Sequence, residues 1–264
     1  MNSKDIAEKH TILRVITGST LYGTNTETSD KDEMGVCIEP VEALVGFTEF
    51  EQYINNSRDP ETNKTVEDVK IYSLRKFLRL ALQGNPDVIP VLFAPEKFHT
   101  VSHAIGRQLQ DLTPHIVSRR CGARFLGYME SQRQRILGER GQKKVNRPEL
   151  MEKYGFDTKY AMQVLRLGFQ GRELLATGRI SLPMEEDSRL LLRAVRSGEV
   201  SLQQVLETAG SLEREVKDLL TASPLSEHPN TELVEDWMIT RYYESWKADR
   251  FMSDRLDLLG KGIH

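Results

Sequence analysis

Strand-forming segments stop near residue 100 of this 264-residue chain, and the remainder reads as helix. Residues 11–17, TILRVIT, are rich in β-branched side chains and run into Gly18-Ser19, which predicts a buried strand and a tight turn. Residues 30–38, DKDEMGVCI, predict a second strand closed by Pro40, and residues 65–72, TVEDVKIY, another. Between them, residues 51–63 hold Asn55, Asn56, Ser57, Asp59 and Pro60, the composition of a polar connection between hairpin-like strands. Leu74, Phe77, Leu78, Leu80, Ala81 and Leu82 form a helical stripe that ends at Gly84-Asn85-Pro86. Alternation of the two types up to about residue 98 suggests an α/β unit. Beyond it, apolar spacing of three and four recurs through 101–112, 115–138, 158–177, 187–197, 201–221 and 231–247. Asp157 suits the N-cap of the helix starting at Thr158, and Gly178 its stop. Loops are expected at 138–148 and around Ser223-Pro224 and Pro229. The expected division is a compact core over 1–100 and a helical domain over 101–264.

Composition narrows the function classes. Apolar residues at 39% and charged residues at 28% fit a folded chain and not a disordered one. No apolar run reaches the roughly 18–20 residues of a membrane span, and MNSKDIAEKH lacks the apolar core of a signal peptide, so a cytoplasmic protein without a membrane partner is expected. Cys37 and Cys121 have no CxxC or CxxH neighbours, which excludes a structural zinc site and argues against a disulfide framework. His103 and His115 lack metal-ligand spacing, and a structural or surface role is expected of each. The net charge of −3 excludes a globally basic nucleic-acid binder, but it conceals polarity. Residues 115–147 carry nine Lys/Arg (Arg119, Arg120, Arg124, Arg133, Arg135, Arg140, Lys143, Lys144, Arg147) against Glu130 and Glu139, whereas 185–236 carry twelve acids against five cations.

Chemistry concentrates at Gly18-Ser19 and Asp30-Lys31-Asp32. In an extended strand, side chains at i and i+2 share a side, so Asp30 and Asp32 present carboxylates together while Lys31 faces away. Two such groups repel unless a proton or cation lies between them, and oxygen-only ligands favour a hard divalent ion such as Mg²⁺. Gly18 lets the backbone approach a ligand closely, and Ser19 at a helix start offers N–H groups and a hydroxyl to an anion. A phosphate binder beside a paired-acid metal site is what a nucleoside triphosphate requires.

Gly18-Ser19-Thr20-Leu21-Tyr22-Gly23-Thr24, followed by Ser29-Asp30-Lys31-Asp32 and Gly35-Val36, resembles the nucleotidyltransferases of the DNA polymerase beta superfamily, in the branch named for the RNA repair pathway. The resemblance continues in Tyr72 to Phe77, Gly84-Asn85-Pro86, Lys159 to Leu167, Glu173-Leu174-Leu175 with Gly178, and Leu182-Pro183, and so covers roughly residues 10–185. It implies an α+β fold, a small mixed-sheet nucleotidyltransferase core followed by an α-helical C-terminal domain. It also implies two divalent ions, Mg²⁺ or Mn²⁺, held by Asp30, Asp32 and a third carboxylate on a later strand. Asp68 is the candidate for that third place and Glu67 its competitor. Alternation groups Glu67 with Val69 and Ile71, and Asp68 with Val66 and Lys70. Asp30, Asp32 and one further carboxylate are then expected to converge.

Lys159, Gln163 and Arg166 recur at i, i+4 and i+7, giving one helix face two cations and an amide. Such a face suits either water or the β- and γ-phosphates, and the resemblance adds Lys159 and Arg166 to Gly18 and Ser19 as nucleotide contacts. The expected reaction moves a nucleoside monophosphate from a nucleoside triphosphate to an acceptor hydroxyl. The acceptor is an RNA 3′ end, a small molecule or a protein side chain, and the basic stretch suits RNA or is a solvated helix face. A non-catalytic nucleotide-binding or antitoxin-like partner-binding module is the competing class. Trp237, Tyr242, Tyr243 and Trp246 are spaced for one helix face and are expected to pack.

Overall fold

A computed structural model describes residues 2–26, 29–47, 49–58, 65–137 and 147–248, with the side chains of 65–67 excepted. The elements run α1 (Ser3–His10), β1 (Thr11–Ile16), α2 (Gly18–Tyr22), β2 (Lys31–Cys37), α3 (Val41–Val45), β3 (Gln52–Arg58), β4 (Thr65–Ser73), α4 (Leu74–Leu82) and α5 (Ile89–Leu92). A short 3₁₀ turn leads into β5 (His99–Ser102). There follow α6 (Ala104–Asp111), α7 (Thr113–Ile116), α8 (Arg119–Ile136), α9 (Pro148–Tyr154), α10 (Thr158–Thr177), α11 (Glu186–Ser197), α12 (Leu202–Ala222) and α13 (Thr231–Ala248). The fold is α+β. Among the described residues the last strand ends at Ser102 and only helices follow. No helix among them is long and apolar enough to cross a membrane.

The sheet has the order β3-β4-β2-β1-β5, and only β2 and β4 run parallel. It is therefore mixed. Period-2 alternation sorts its side chains between two layers. Val69 and Ile71 of β4 and Cys37 of β2 join Ile6 and Ala7 of α1, Ala43 and Phe50 on one face. Met34 and Val36 of β2 and Tyr72 of β4 point to the other face, into a cluster that continues through Phe77, Phe125 and Leu165 to Leu212. By the same parity Asp32 and Asp68 stand on the face turned toward the helical half. Glu33, 3% exposed, lies on the opposite face, where it pairs with Arg14 of β1 and with Lys31 Nζ at 2.8 Å. Lys31 thus does face away from Asp32, as the strand spacing predicts.

Two sequence readings need correction. The polar stretch 51–63 is not a plain connection: Gln52–Arg58 is strand β3, antiparallel to β4, while 59–63 lie outside the described residues. Asn55, Asn56 and Ser57 are poor strand formers, but β3 is an edge whose pairing with β4 outweighs their propensity. Residues 99–102 form the opposite edge strand, β5, ahead of the helix expected over 101–112. Ahead of β1, Asn2 caps α1 through Asp5 N–H at 2.9 Å.

The other caps fall where the sequence puts them. Asp157 accepts from the N–H groups of Lys159 at 2.9 Å and Tyr160 at 3.1 Å, and Gly178, at φ 73°, ends α10. His103 flanks the start of α6, and the His115 carbonyl accepts from Asn230 N–H at 2.8 Å. Cys37 and Cys121 are buried free thiols, and burial pushes both above the usual thiol range.

Helix α13 returns to the sheet half. Tyr242 Oη accepts from Arg75 N–H at 3.1 Å, Trp246 Nε1 donates to the Glu39 carbonyl at 3.1 Å, and the two rings pack 5.2 Å apart. The aromatic cluster is only partly one face, because Tyr243 is 63% exposed. Beneath this contact the Glu39 side chain is fully enclosed, and burial raises its carboxyl above the usual range against the weaker opposing pull of Tyr242 and Arg75. A raised folded-state value means the contribution to stability is complete below about pH 4 and is lost as pH rises through that value. Glu39→Gln is therefore expected to melt higher than the wild type at pH 8, with the gap closing toward pH 4. A lower melting temperature at pH 8 would mean that Glu39 is charged and paired in the fold.

Candidate functional site

The site begins at the junction of β1 and β2. Thr17 N–H donates to the Asp32 carbonyl at 2.8 Å, which brings the Gly18 turn against the start of β2. Gly18 has φ 60°, and a Cβ there would collide with the Asp32 carboxylate, so both the conformation and the contact demand glycine. Helix α2, which follows, is only five residues long. Gly18 thus contributes room beside Asp32 more than a helix-end field. Asp30 immediately precedes β2 and is exposed.

Parallel pairing of β2 with β4 sets Asp32 directly opposite Asp68. Both are half-buried. Burial raises the Asp32 carboxyl above its ordinary value, and the charges of Asp68 and then Asp30 push the same way, with Lys159 and Lys70 opposing. The Glu67 side chain, the competing candidate, lies outside the described residues.

Helix α10 forms the opposite wall. Lys159 is exposed at its first turn, while Arg166, two turns on, is only 3% exposed. Arg166 Nη1 donates to Gln170 Oε1 at 2.7 Å and Nε to Gln163 Oε1 at 3.2 Å, and its guanidinium lies 4.4 Å from the Tyr22 ring centroid. Burial raises the Tyr22 hydroxyl, and the Arg166 charge opposes this. A buried arginine held by two amides and an aromatic face is a rigid cation, fixed before any ligand arrives.

These walls enclose a cleft of about 420 Å³ lined by Gly18, Ser19, Asp30, Asp32, Lys159 and Arg166 among others. A second chamber of about 280 Å³ adjoins it, lined by Asp68, Lys70 and Asp87, and shares Gly18, Tyr22, Asp32, Gln163 and Arg166 with the first. The residues singled out in the sequence therefore meet around one double cavity, with Asp32 between its halves. The expected convergence of three carboxylates is not met as a closed cage: among the described residues, no three His, Cys, Asp or Glu side chains form a metal-holding group. The donor set nonetheless suits Mg²⁺ or Mn²⁺. The oxygens are hard, a cation would relieve the crowding at Asp32, and Mg²⁺ is typically held by one or two carboxylates with waters and substrate phosphates.

Sequence reading missed several lining residues: Tyr22, Gln132 of α8, Arg147, Arg196 of α11, and Asp87. Tyr22 lies inside the Gly18–Thr24 motif, Asp87 directly follows Gly84-Asn85-Pro86, and Arg147 ends the basic stretch. Arg196 carries no such signal. Much of the basic stretch is neutralised: Arg133 pairs with Glu213 at 2.8 Å, Arg147 with Asp157 at 2.8 Å and Arg119 with Glu227 at 3.7 Å. Arg140, Lys143 and Lys144 lie outside the described residues.

The fold is α+β, with Asp32 of the mixed sheet facing the cations of α10 across a cleft. The chain belongs to the RNA repair pathway DNA polymerase beta family, which matches residues 2–237. An uncharacterized 38.9 kDa protein of Enterobacteria phage T4, from its nrdC-mobD intergenic region, is 25% identical over 126 residues. That match takes in 46% of this chain and spans 37% of the phage protein's length. Among solved structures, a nucleotidyltransferase-like protein from Exiguobacterium sibiricum aligns over 83% of this chain and 72% of its own, at 12% identity and a TM-score of 0.30.

Proposed function

We propose that the protein transfers a nucleoside monophosphate from a nucleoside triphosphate to an acceptor hydroxyl, releasing pyrophosphate. The observation that carries this reading is the register pairing of Asp32 with Asp68, across the cleft from Lys159 and Arg166. In the reaction the acceptor oxygen forms a bond to the α-phosphorus, the bond from that phosphorus to the bridging oxygen breaks, and pyrophosphate leaves with the electron pair. Gly18 and Ser19 line the wall against which the phosphates lie, and Lys159 and Arg166 balance charge on the β- and γ-phosphates. Fixed cations aimed at developing charge stabilise a transition state without reorganising. Asp68, in the adjoining chamber beside Lys70, is the group positioned to take the proton of the acceptor hydroxyl. Asp30, Asp32 and Asp68 are the residues that would hold two divalent ions, whose chemistry is to neutralise phosphate charge and lower the pKa of the attacking hydroxyl.

An RNA 3′ end as acceptor is supported by the family and by Arg120 and Arg124 of α8, which line a shallow groove with Gln83. The second reading, a non-catalytic nucleotide-binding module, draws on the missing three-ligand cluster among the described residues. Incubating the full chain with each labelled nucleoside triphosphate, Mg²⁺ or Mn²⁺, and either total RNA or the protein alone separates them. Label incorporated by wild type but by neither Asp30→Asn nor Asp32→Asn is the expected result. Nucleotide binding that is indifferent to metal, with no incorporation into any acceptor, would replace transfer by the module.

A further inference from the structure

The larger cleft has an outer end that the adjoining chamber does not share. It is lined by Arg147, Arg196 and Tyr160, and Lys159 stands beside them at the first turn of α10. The two arginines arrive from different elements. Arg147 precedes α9; its Nη1 donates to Asp157 Oδ2 at 2.8 Å, and its guanidinium lies 5.1 Å from the Tyr160 ring centroid. Arg196, in the last turn of α11, donates from Nη1 to Thr158 Oγ1 at 3.0 Å. Asp157 therefore pairs with Arg147, and its charge also acts on Arg196. Its Oδ1 is already engaged by the N–H groups of Lys159 and Tyr160, and its Oδ2 by Arg147. Burial lowers the Arg196 guanidinium, the Arg147 charge adds to the effect, and Asp157, Tyr154 and Glu149 offset it in part. Asp157 accepts from Arg147 but not from Arg196, which bonds to a neutral hydroxyl, so one carboxylate faces two half-buried guanidiniums and an anion would balance the remainder.

We propose that Arg147 and Arg196 form a phosphate subsite at the outer end of the cleft and that it takes the terminal phosphate of the donor triphosphate. The proposal rests on the transfer reading above and names what selects the donor. Lys159 links the two ends: its charge acts on Asp32, and its side chain lines the same cleft as the arginine pair. Along α10, Lys159 lies about 10 Å from Arg166. The terminal phosphate then lies between Lys159 and the arginine pair, all of which line the same cleft, while Arg166 balances charge nearer the carboxylates. A guanidinium fork matches paired phosphate oxygens better than an ammonium does. The consequence is a preference for triphosphates over monophosphates that is set away from the carboxylates.

The test is calorimetric titration of the full chain with each nucleoside triphosphate, the matching monophosphates, inorganic tripolyphosphate and a 5′-phosphorylated RNA oligonucleotide. Wild type is compared with Arg196→Gln, Arg196→Lys and Arg147→Lys, and melting temperatures report folding. Arg196→Gln is expected to weaken triphosphate and tripolyphosphate binding by about tenfold or more, the equivalent of one charge-assisted hydrogen bond. Monophosphate affinity should move by less than about twofold on the same scale. If Arg196→Gln does not fold, the two lysine variants are expected to show the same selective loss in smaller measure. An equal loss for both nucleotide classes, no loss, or a loss confined to the oligonucleotide would overturn the subsite. Tripolyphosphate binding that depends on Arg196, without label transfer by the wild type, would uphold it while the transfer reading falls. Transfer with an unchanged triphosphate preference in Arg196→Gln would do the reverse, and a wild type that binds no triphosphate would overturn both.

Discussion

Asp32→Asn is expected to lower nucleotidyl transfer on the order of 10³-fold while raising the melting temperature of the metal-free protein. Asp32 lies between the two halves of the cavity, and burial together with the charges of Asp68 and Asp30 disfavours its ionised form. Asparagine keeps the shape, removes the repulsion, and leaves the backbone carbonyl that receives Thr17 N–H unchanged. Each kcal/mol so relieved appears as about 2–4 °C in a chain of this size. Opposite movement of activity and stability is the signature of a residue retained for chemistry at the expense of the fold. Scanning calorimetry without divalent ions, beside the labelled-nucleotide assay, measures both. A drop in melting temperature would mean that Asp32 is held as a stabilising partner of Lys159 and Lys70.

Phe125→Ala is expected to cost about 3–5 kcal/mol, the range for a large aromatic removed from a closed core. Phe125 is fully enclosed on α8, and its Cβ lies 3.1 Å from where a Cβ on Gly171 of α10 would stand. Glycines let these two helices approach closely along their length: Gly122 faces Leu175, and Gly168 faces Met129 and Leu212. The seam therefore has little slack with which to collapse around a void. Because α10 carries Lys159, Gln163 and Arg166, loosening it also displaces the cationic wall, and small misplacements of binding groups are costly in rate. Denaturant unfolding at constant slope reads the loss. A change below about 1 kcal/mol would mean that the helices close over the gap.

The sequence read best where local signals and tertiary outcome agree. Leu74 to Leu82, Asp157 with Gly178, and the strands around Leu13, Val36 and Val69 combine periodicity with caps, and each forms as expected. Strand β3 escaped because Asn55, Asn56 and Ser57 report local preference, whereas its existence depends on β4 alongside it. The short β5 escaped because four residues hold too little periodicity to be read. For the site, Gly18, Asp30 and Asp32 are close in sequence and legible from spacing, and resemblance supplied Asp68, Lys159 and Arg166. Arg147 and Arg196 both reach the start of α10, one at Asp157 and the other at Thr158, a convergence that no spacing along the chain encodes.

The return of α13 to the sheet half carries a consequence for biosynthesis. Tyr242 meets Arg75, and Trp246 meets Glu39, so contacts that complete the N-terminal layer are supplied more than 160 residues later. A ribosome adding about 5–20 residues per second leaves that layer uncapped for roughly ten seconds or more after Arg75 is made. In that interval the nascent sheet presents the bare surface onto which α13 will settle, and factors that shield emerging chains have their longest opportunity to act there.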